Sequence, residues 1–178
     1  MVTAKQLEKD LRDAASGRPP EDIVIIGHFF KSYKGGYGEG DVFIGAKVPV
    51  IRAVCKKYKD MSLAEIEKAL ESPVHEVRLA AGILMTDQTK KANPAHKKAL
   101  YDLYLRRTDR INNWDIVDAS CRDVVGEYLL DKPRKVLYTL ADSSDIWERR
   151  IAMVSTWAFI RKGQTDDTFK IAALLLKD

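Results

Sequence analysis

The sequence predicts an all-α protein built as a curved stack of antiparallel helix pairs, and three observations carry that prediction. Helix-start signals recur along the whole chain, with Ser, Thr, Asn or Asp standing before Pro or before an acidic first turn. Period-2 alternation bounded by turn residues is nearly absent, and Val42-Phe43-Ile44 is the single short candidate strand. The third observation is an internal match. Ser72-Pro73-Val74-His75-Glu76-Val77-Arg78-Leu79-Ala80 aligns with Ser144-Asp145-Ile146-Trp147-Glu148-Arg149-Arg150-Ile151-Ala152 at a constant offset of 72 residues. That offset equals two units of about 36 residues, the size of a helix pair in a repeat array. Such units bury their apolar faces only against their neighbours, so the second helices of the pairs line one concave face.

About ten helices follow from the start signals. Thr3 opens the first; Pro20 opens the second, expected over Glu21 to Tyr33; Pro49 opens the third. Ser62 opens the fourth through a capping box with Glu65, three residues on. Ser72-Pro73 opens the fifth, Asn93-Pro94 the sixth and the Asn112-Asn113 pair the seventh. Pro133 opens the eighth, Ser144-Asp145 the ninth, and Thr165 a tenth that runs to the chain end. Connections are short except from Lys34 to Lys47, where Gly35-Gly36-Tyr37-Gly38-Glu39-Gly40 gives loop composition over a dozen residues. That segment is either a functional lip or a long crossover.

Composition narrows the class further. The 178 residues are 46% hydrophobic and 31% charged, with only 10 Gly and 6 Pro, which excludes disorder and collagen and leaves room for a sizeable core. The formal net charge of +4 permits a polyanionic partner without demanding one. Cys55 and Cys121 lie in separate apolar stretches without CxxC spacing, so they read as core thiols in a reducing compartment rather than as a disulfide or zinc site. A polar N-terminus and the lack of any apolar run of about 20 residues predict a cytoplasmic protein with no membrane association.

Several motifs that look chemical have plain readings. The glycine-rich segment lacks both GxGxxG spacing and a GK[ST] ending, and Glu39 and Asp41 would repel phosphate, so its glycines are conformational. His75-Glu76-Val77-Arg78-Leu79 starts like a metalloprotease helix but has Leu where the second His belongs, which excludes zinc hydrolysis. The three histidines then read as surface or capping residues.

Asn112-Asn113-Trp114-Asp115-Ile116-Val117-Asp118 is the most informative stretch. On a helix Trp114 and Asp118 stand at i and i+4, so indole and carboxylate share one face. Asp115 lies in the first turn, where the helix dipole favours an anion. Asp118 is either a site carboxylate or half of a surface ion pair with Arg122, and Trp114 is either a site aromatic or core. Arg149 and Arg150 point about 100° apart on their helix, so one faces the concave side. Each is either a bridge to a carboxylate of the neighbouring repeat, as the matching Arg78 suggests, or a phosphate clamp. Further basic residues gather near helix ends, among them Lys90, Lys97, Arg106, Arg110 and Arg161.

Taken in order, Tyr37-Gly38-Glu39-Gly40-Asp41-Val42-Phe43-Ile44-Gly45, Val48-Pro49-Val50-Ile51-Arg52 and His75-Glu76-Val77-Arg78 carry a resemblance that covers nearly the whole chain. It continues through Asn113 to Asp118, Gly126-Glu127-Tyr128-Leu129 and Ser144 to Arg150. This series resembles the AlkD-type DNA alkylation repair glycosylases. The resemblance implies a right-handed superhelical stack of HEAT-like repeats (an α-solenoid) forming a single domain over residues 1–178 that lacks a C-terminal helix pair of the family. It implies a DNA glycosylase that hydrolyses the N-glycosidic bond of cationic alkylated purines such as 3-methyladenine and 7-methylguanine in duplex DNA. It implies no metal or organic cofactor and no obligate protein partner. Carried over residue by residue, Asp118 is the carboxylate that stabilises the sugar cation, and Trp114 the aromatic face beside it. Arg150, three residues after Trp147, holds the DNA backbone with Arg149 beside it, and Phe29-Phe30 stands where the family often has a tyrosine near the lesion. The alternatives are a non-catalytic HEAT-like DNA-binding module and a protein-interaction scaffold.

Overall fold

A computed structural model describes residues 2–178, and its elements are helical throughout: α1 (Ala4–Ala14), α2 (Pro20–Phe29), α3 (Val48–Cys55), α4 (Leu63–Leu70) and α5 (His75–Thr89), then α6 (Pro94–Arg106), α7 (Trp114–Cys121), α8 (Lys135–Ala141), α9 (Ile146–Ser155), α10 (Trp157–Ile160) and α11 (Asp166–Leu174). Two compact units divide the chain, the first through Gln88 and the second from Thr89.

The caps act as the start signals imply. Thr3, Ser62 and Asn93 accept from the backbone N–H three residues on, and Asp145 accepts from that of Trp147, which satisfies donors that the first turn leaves orphaned. The capping box at α4 is one-sided. The Glu65 carboxylate does not accept from Ser62 N; it accepts from Ala4 N at 2.8 Å and from Lys68, tying α4 to the start of α1.

In the first unit α1 packs on α3 and α4, with Leu7, Leu11, Ile66 and Leu70 wholly buried. Each such side chain contributes roughly 1.5–3 kcal/mol by leaving water. The second helix is shorter than its pattern predicts, ending at Phe29 instead of Tyr33. Lys31 adopts a φ of 49°, and both the amide and the hydroxyl of Ser32 donate to Gly27 O, so the chain turns back on its own last turn.

The glycine-rich crossover is ordered by α5. Val42 forms no strand, only an isolated parallel bridge with Val74, in which Val42 N donates to Pro73 O and His75 N to Val42 O. Glu76 accepts from Ile44 N and Gly45 N, the closer at 2.8 Å. Arg78 donates to Ser72 O and, at 2.6 Å, to Asp41, whose other oxygen lies 3.1 Å from His75 Nδ1. His75 is thus no surface or capping residue. It is 1% exposed, with Phe30 and Phe43 packed against its ring at 4.7 and 4.8 Å, because α5 begins inside the core where the crossover passes over it. Gly35, Gly40 and Gly45 all have φ near 80–88°, the left-handed region that the conformational reading of this segment requires.

In the second unit α8 and α7 pack on α9, around Tyr104, Ile116, Val117, Leu137 and Ile151. Two features depart from the expected pattern. After Cys121 the helix widens into a π turn (Arg122–Gly126) and then tightens into a 3-10 turn (Glu127–Leu129). Beyond α9 a single extra turn, α10, precedes α11, which itself ends at Leu174. No helix among the described residues is long and apolar enough to cross a membrane.

Candidate functional site

α7 sets the geometry of the site. Asn113 is fully buried, and its Oδ1 accepts from Trp114 N at 2.9 Å, fixing where the helix starts. Asp115 behaves as the first-turn anion it was expected to be, with Oδ1 accepting from Ile116 N at 2.8 Å. The inner face of the helix carries Ile116, Val117, Ser120 and Cys121, all buried. Ser120 donates to Ile116 O and lies 3.0 Å from the Tyr104 hydroxyl, so these two hydroxyls beneath the site partner one another. With that face in the core, the outer face must carry Trp114, which is half-buried, and Asp118, which is exposed.

Arg150 reaches Asp118 from α9. Its Nε donates to Oδ1 at 2.8 Å and its Nη2 to Oδ2 at 2.7 Å, a two-point fork matched to the carboxylate plane. The side chains are 40% and 39% exposed, so screening leaves the pair worth at most about 1 kcal/mol of stability. The surface pair with Arg122 is overturned. Arg122 places Nη2 on Asp123, 2.9 and 2.7 Å from its two oxygens, and lies against Trp157.

The internal repeat explains this arrangement. Arg78 and Arg150, and likewise Glu76 and Glu148, hold matching positions. Glu148 accepts from Thr108 Oγ1 at 2.7 Å as Glu76 accepts from the crossover amides, and each arginine pairs with an aspartate of a preceding segment. What differs is burial. Arg78 and Asp41 are 1% and 7% exposed, whereas Arg150 and Asp118 stand in contact with water. A repeat device that locks the first unit is presented outward in the second.

The remaining candidates fall elsewhere. Arg149 directs Nε and Nη2 to Asp178 and Nη1 to the carbonyls of Ser143 and Ser144, so it braces the segment before α9 and does not join Asp118. Phe29 and Phe30 belong to the first unit. Phe29 is 65% exposed at the end of α2, while Phe30 packs on Phe43 and His75. Both cysteines are buried free thiols, as expected, and burial pushes each up to about 12, which removes them as nucleophiles. Among the described residues no cluster of His, Cys, Asp and Glu is arranged to hold a metal ion.

An all-helical protein that presents a carboxylate and an arginine to solvent, with a half-buried tryptophan one turn from the carboxylate, defines the class. Residues 7–178 match the family described as DNA alkylation repair enzyme, and the chain belongs to that family. Among curated proteins, none matches the chain.

Proposed function

We propose that the chain is a DNA-alkylpurine N-glycosylase acting on cationic alkylated purines in duplex DNA, with Asp118, Trp114 and Arg150 as its working residues. On this reading the helix pairs form a single HEAT-like repeat domain in a superhelical stack. The observation that carries the proposal is the exposed Asp118–Arg150 fork one turn from Trp114, in a chain of the alkylation repair family.

The chemistry asks little of the protein. Alkylation has already made the base a cationic leaving group, so the C1′–N bond breaks with its electron pair returning to the ring nitrogen, and the base departs neutral. Water adds to C1′ and loses a proton, and the sugar passes through an oxocarbenium-like cation. Asp118 is an anion placed to stabilise that cation and to orient or deprotonate the water. Trp114 offers a π face to positive charge. Arg150 holds the Asp118 carboxylate aimed through its two-point fork, and that planar fork is equally suited to a DNA phosphate. A phosphate that draws Arg150 away frees the carboxylate for the sugar. Arg149, Phe29 and Phe30 are proposed as further DNA contacts, with Arg149 having first to leave Asp178.

Release of free base from a duplex containing 7-methylguanine tests the assignment. Asp118→Asn keeps the size and one acceptor but removes the charge, and it is expected to lower release at least 100-fold while DNA binding survives. Release at the unaltered rate would overturn the role of Asp118. A second reading has its own support: Arg78–Asp41 shows that the same pairing serves structure alone, so a DNA-binding module without catalysis is the alternative. It predicts salt-sensitive binding and no base release.

A further inference from the structure

We propose that Trp157 is a stacking platform for an unpaired nucleobase, on the same surface of the second unit as Asp118 and Arg150. The proposal rests on the DNA reading above and adds to it a site that recognises the base left without a partner.

Two rungs join the same elements. Along α7 and the turn after it, Asp118 and Arg122 stand at i and i+4; along α9 into α10, Arg150 and Trp157 stand at i and i+7. The first rung is the Asp118–Arg150 fork, and the second is Arg122 over the indole, with Cζ 4.7 Å from the ring centroid. The two rungs bridge the same pair of segments, so Arg122 and its indole follow the Asp118–Arg150 fork along one seam. One face of Trp157 rests on the guanidinium while the side chain stays 48% exposed.

The indole is not there to balance the charge beneath it. Asp123 already engages Arg122 through both carboxylate oxygens, so the rung is electrically neutral and offers a π face held in a fixed orientation. Ile160, 45% exposed, extends the apolar surface, and the exposed Arg161 one turn on supplies positive charge at its edge. A planar apolar platform with a cation at its margin fits a nucleobase with its phosphate, and such stacking tolerates any base. The proposed reaction creates that ligand, because loss of the alkylated purine leaves the opposite base unpaired.

The test compares the affinities of wild type, Trp157→Ala and Trp157→Phe for an intact duplex and for one carrying a stable abasic-site analogue opposite a normal base. Wild type is expected to prefer the abasic duplex, and Trp157→Ala to lose about tenfold more affinity for it than for the intact duplex. Trp157→Phe should keep most of the preference, and the loss in the alanine variant should be equal at low and high salt, since stacking releases no counterions. An unchanged preference in Trp157→Ala, or equal losses on both duplexes, overturns the platform while leaving the glycosylase reading standing. A phenylalanine variant as impaired as the alanine variant also overturns it, by making Trp157 a packing residue. Wild type that binds neither duplex overturns both.

Discussion

Asp41 shows how much one side chain holds in this protein. Burial works against its charge, but the hydrogen bond from His75 and the charges of Arg78 and His75 prevail and keep its carboxyl below the usual range. The folded form therefore binds that proton more weakly than the unfolded chain. The stabilisation is present above the unfolded carboxylate range and is lost as pH falls through the depressed value. Glu76 works in the opposite sense. Burial raises it despite the amides of Gly45 and Ile44, so its share of stability is present at low pH and fades as pH rises through its raised value. Asp41→Asn removes the carboxylate that the buried Arg78, 1% exposed, donates to, and should destabilise the protein by about 3–5 kcal/mol in urea unfolding at neutral pH. The variant should also lose the acid-side fall in stability that belongs to Asp41. Asp118→Asn, at an exposed pair, should change the unfolding free energy from the same titration by about 1 kcal/mol or less. That contrast separates a structural aspartate from one held out to solvent, and a large loss of stability in Asp118→Asn would count against its assignment to chemistry.

At the scale of elements, the widened turn after α7 is packed closely against the end of α9. Gly126 approaches the end of α9 so closely that an added Cβ would lie 2.3 Å from Ser155 O and 2.8 Å from the Ala158 Cβ. No side chain can be accommodated there without moving α7 and α9 apart, and those two helices carry Asp118 and Arg150. Gly126→Ala should cost about 1–3 kcal/mol of stability. It should also reduce base release more than duplex binding, because catalysis depends on the alignment of the two helices. Thermal unfolding together with single-turnover excision checks both halves, and release at the wild-type rate would show that the fork does not require this spacing. α2 and the crossover illustrate what the sequence reveals at this scale. Thr3, Ser62 and Asn93 cap where their chemistry implies and Gly35 and Gly40 take positive φ, whereas Thr165 makes no side-chain cap and α5 and α8 begin two residues after Pro73 and Pro133. The end of α2 is hidden because no Gly or Pro in Phe29-Phe30-Lys31-Ser32-Tyr33 marks a stop, and the left-handed φ that turns the chain falls on Lys31.

For the whole molecule, a net charge of +4 is modest, so binding to DNA should depend on a few placed cations rather than on a strong overall field. Affinity for a short duplex should fall linearly in a plot against log salt, with a slope set by the phosphates contacted. Arg150→Gln should make that slope shallower by about one phosphate, and an unchanged slope would remove Arg150 from the backbone contacts.

The sequence by itself determined the helical class, most of the helix starts, the buried thiols and the membership in the alkylation repair family that the match over residues 7–178 shows. Those properties are local, or are patterns repeated along the chain, and a cap or an i to i+4 face can be read without knowing what packs against it. Only the tertiary structure decided that Asp118 pairs with Arg150 instead of Arg122, that Arg149 turns away to Asp178, and that His75 enters the core. It also decided that one arginine of the repeat is buried with its aspartate while the other is offered to solvent. Partner choice among charges and the depth of a side chain depend on residues some 30 positions away, brought together by packing that no local spacing encodes.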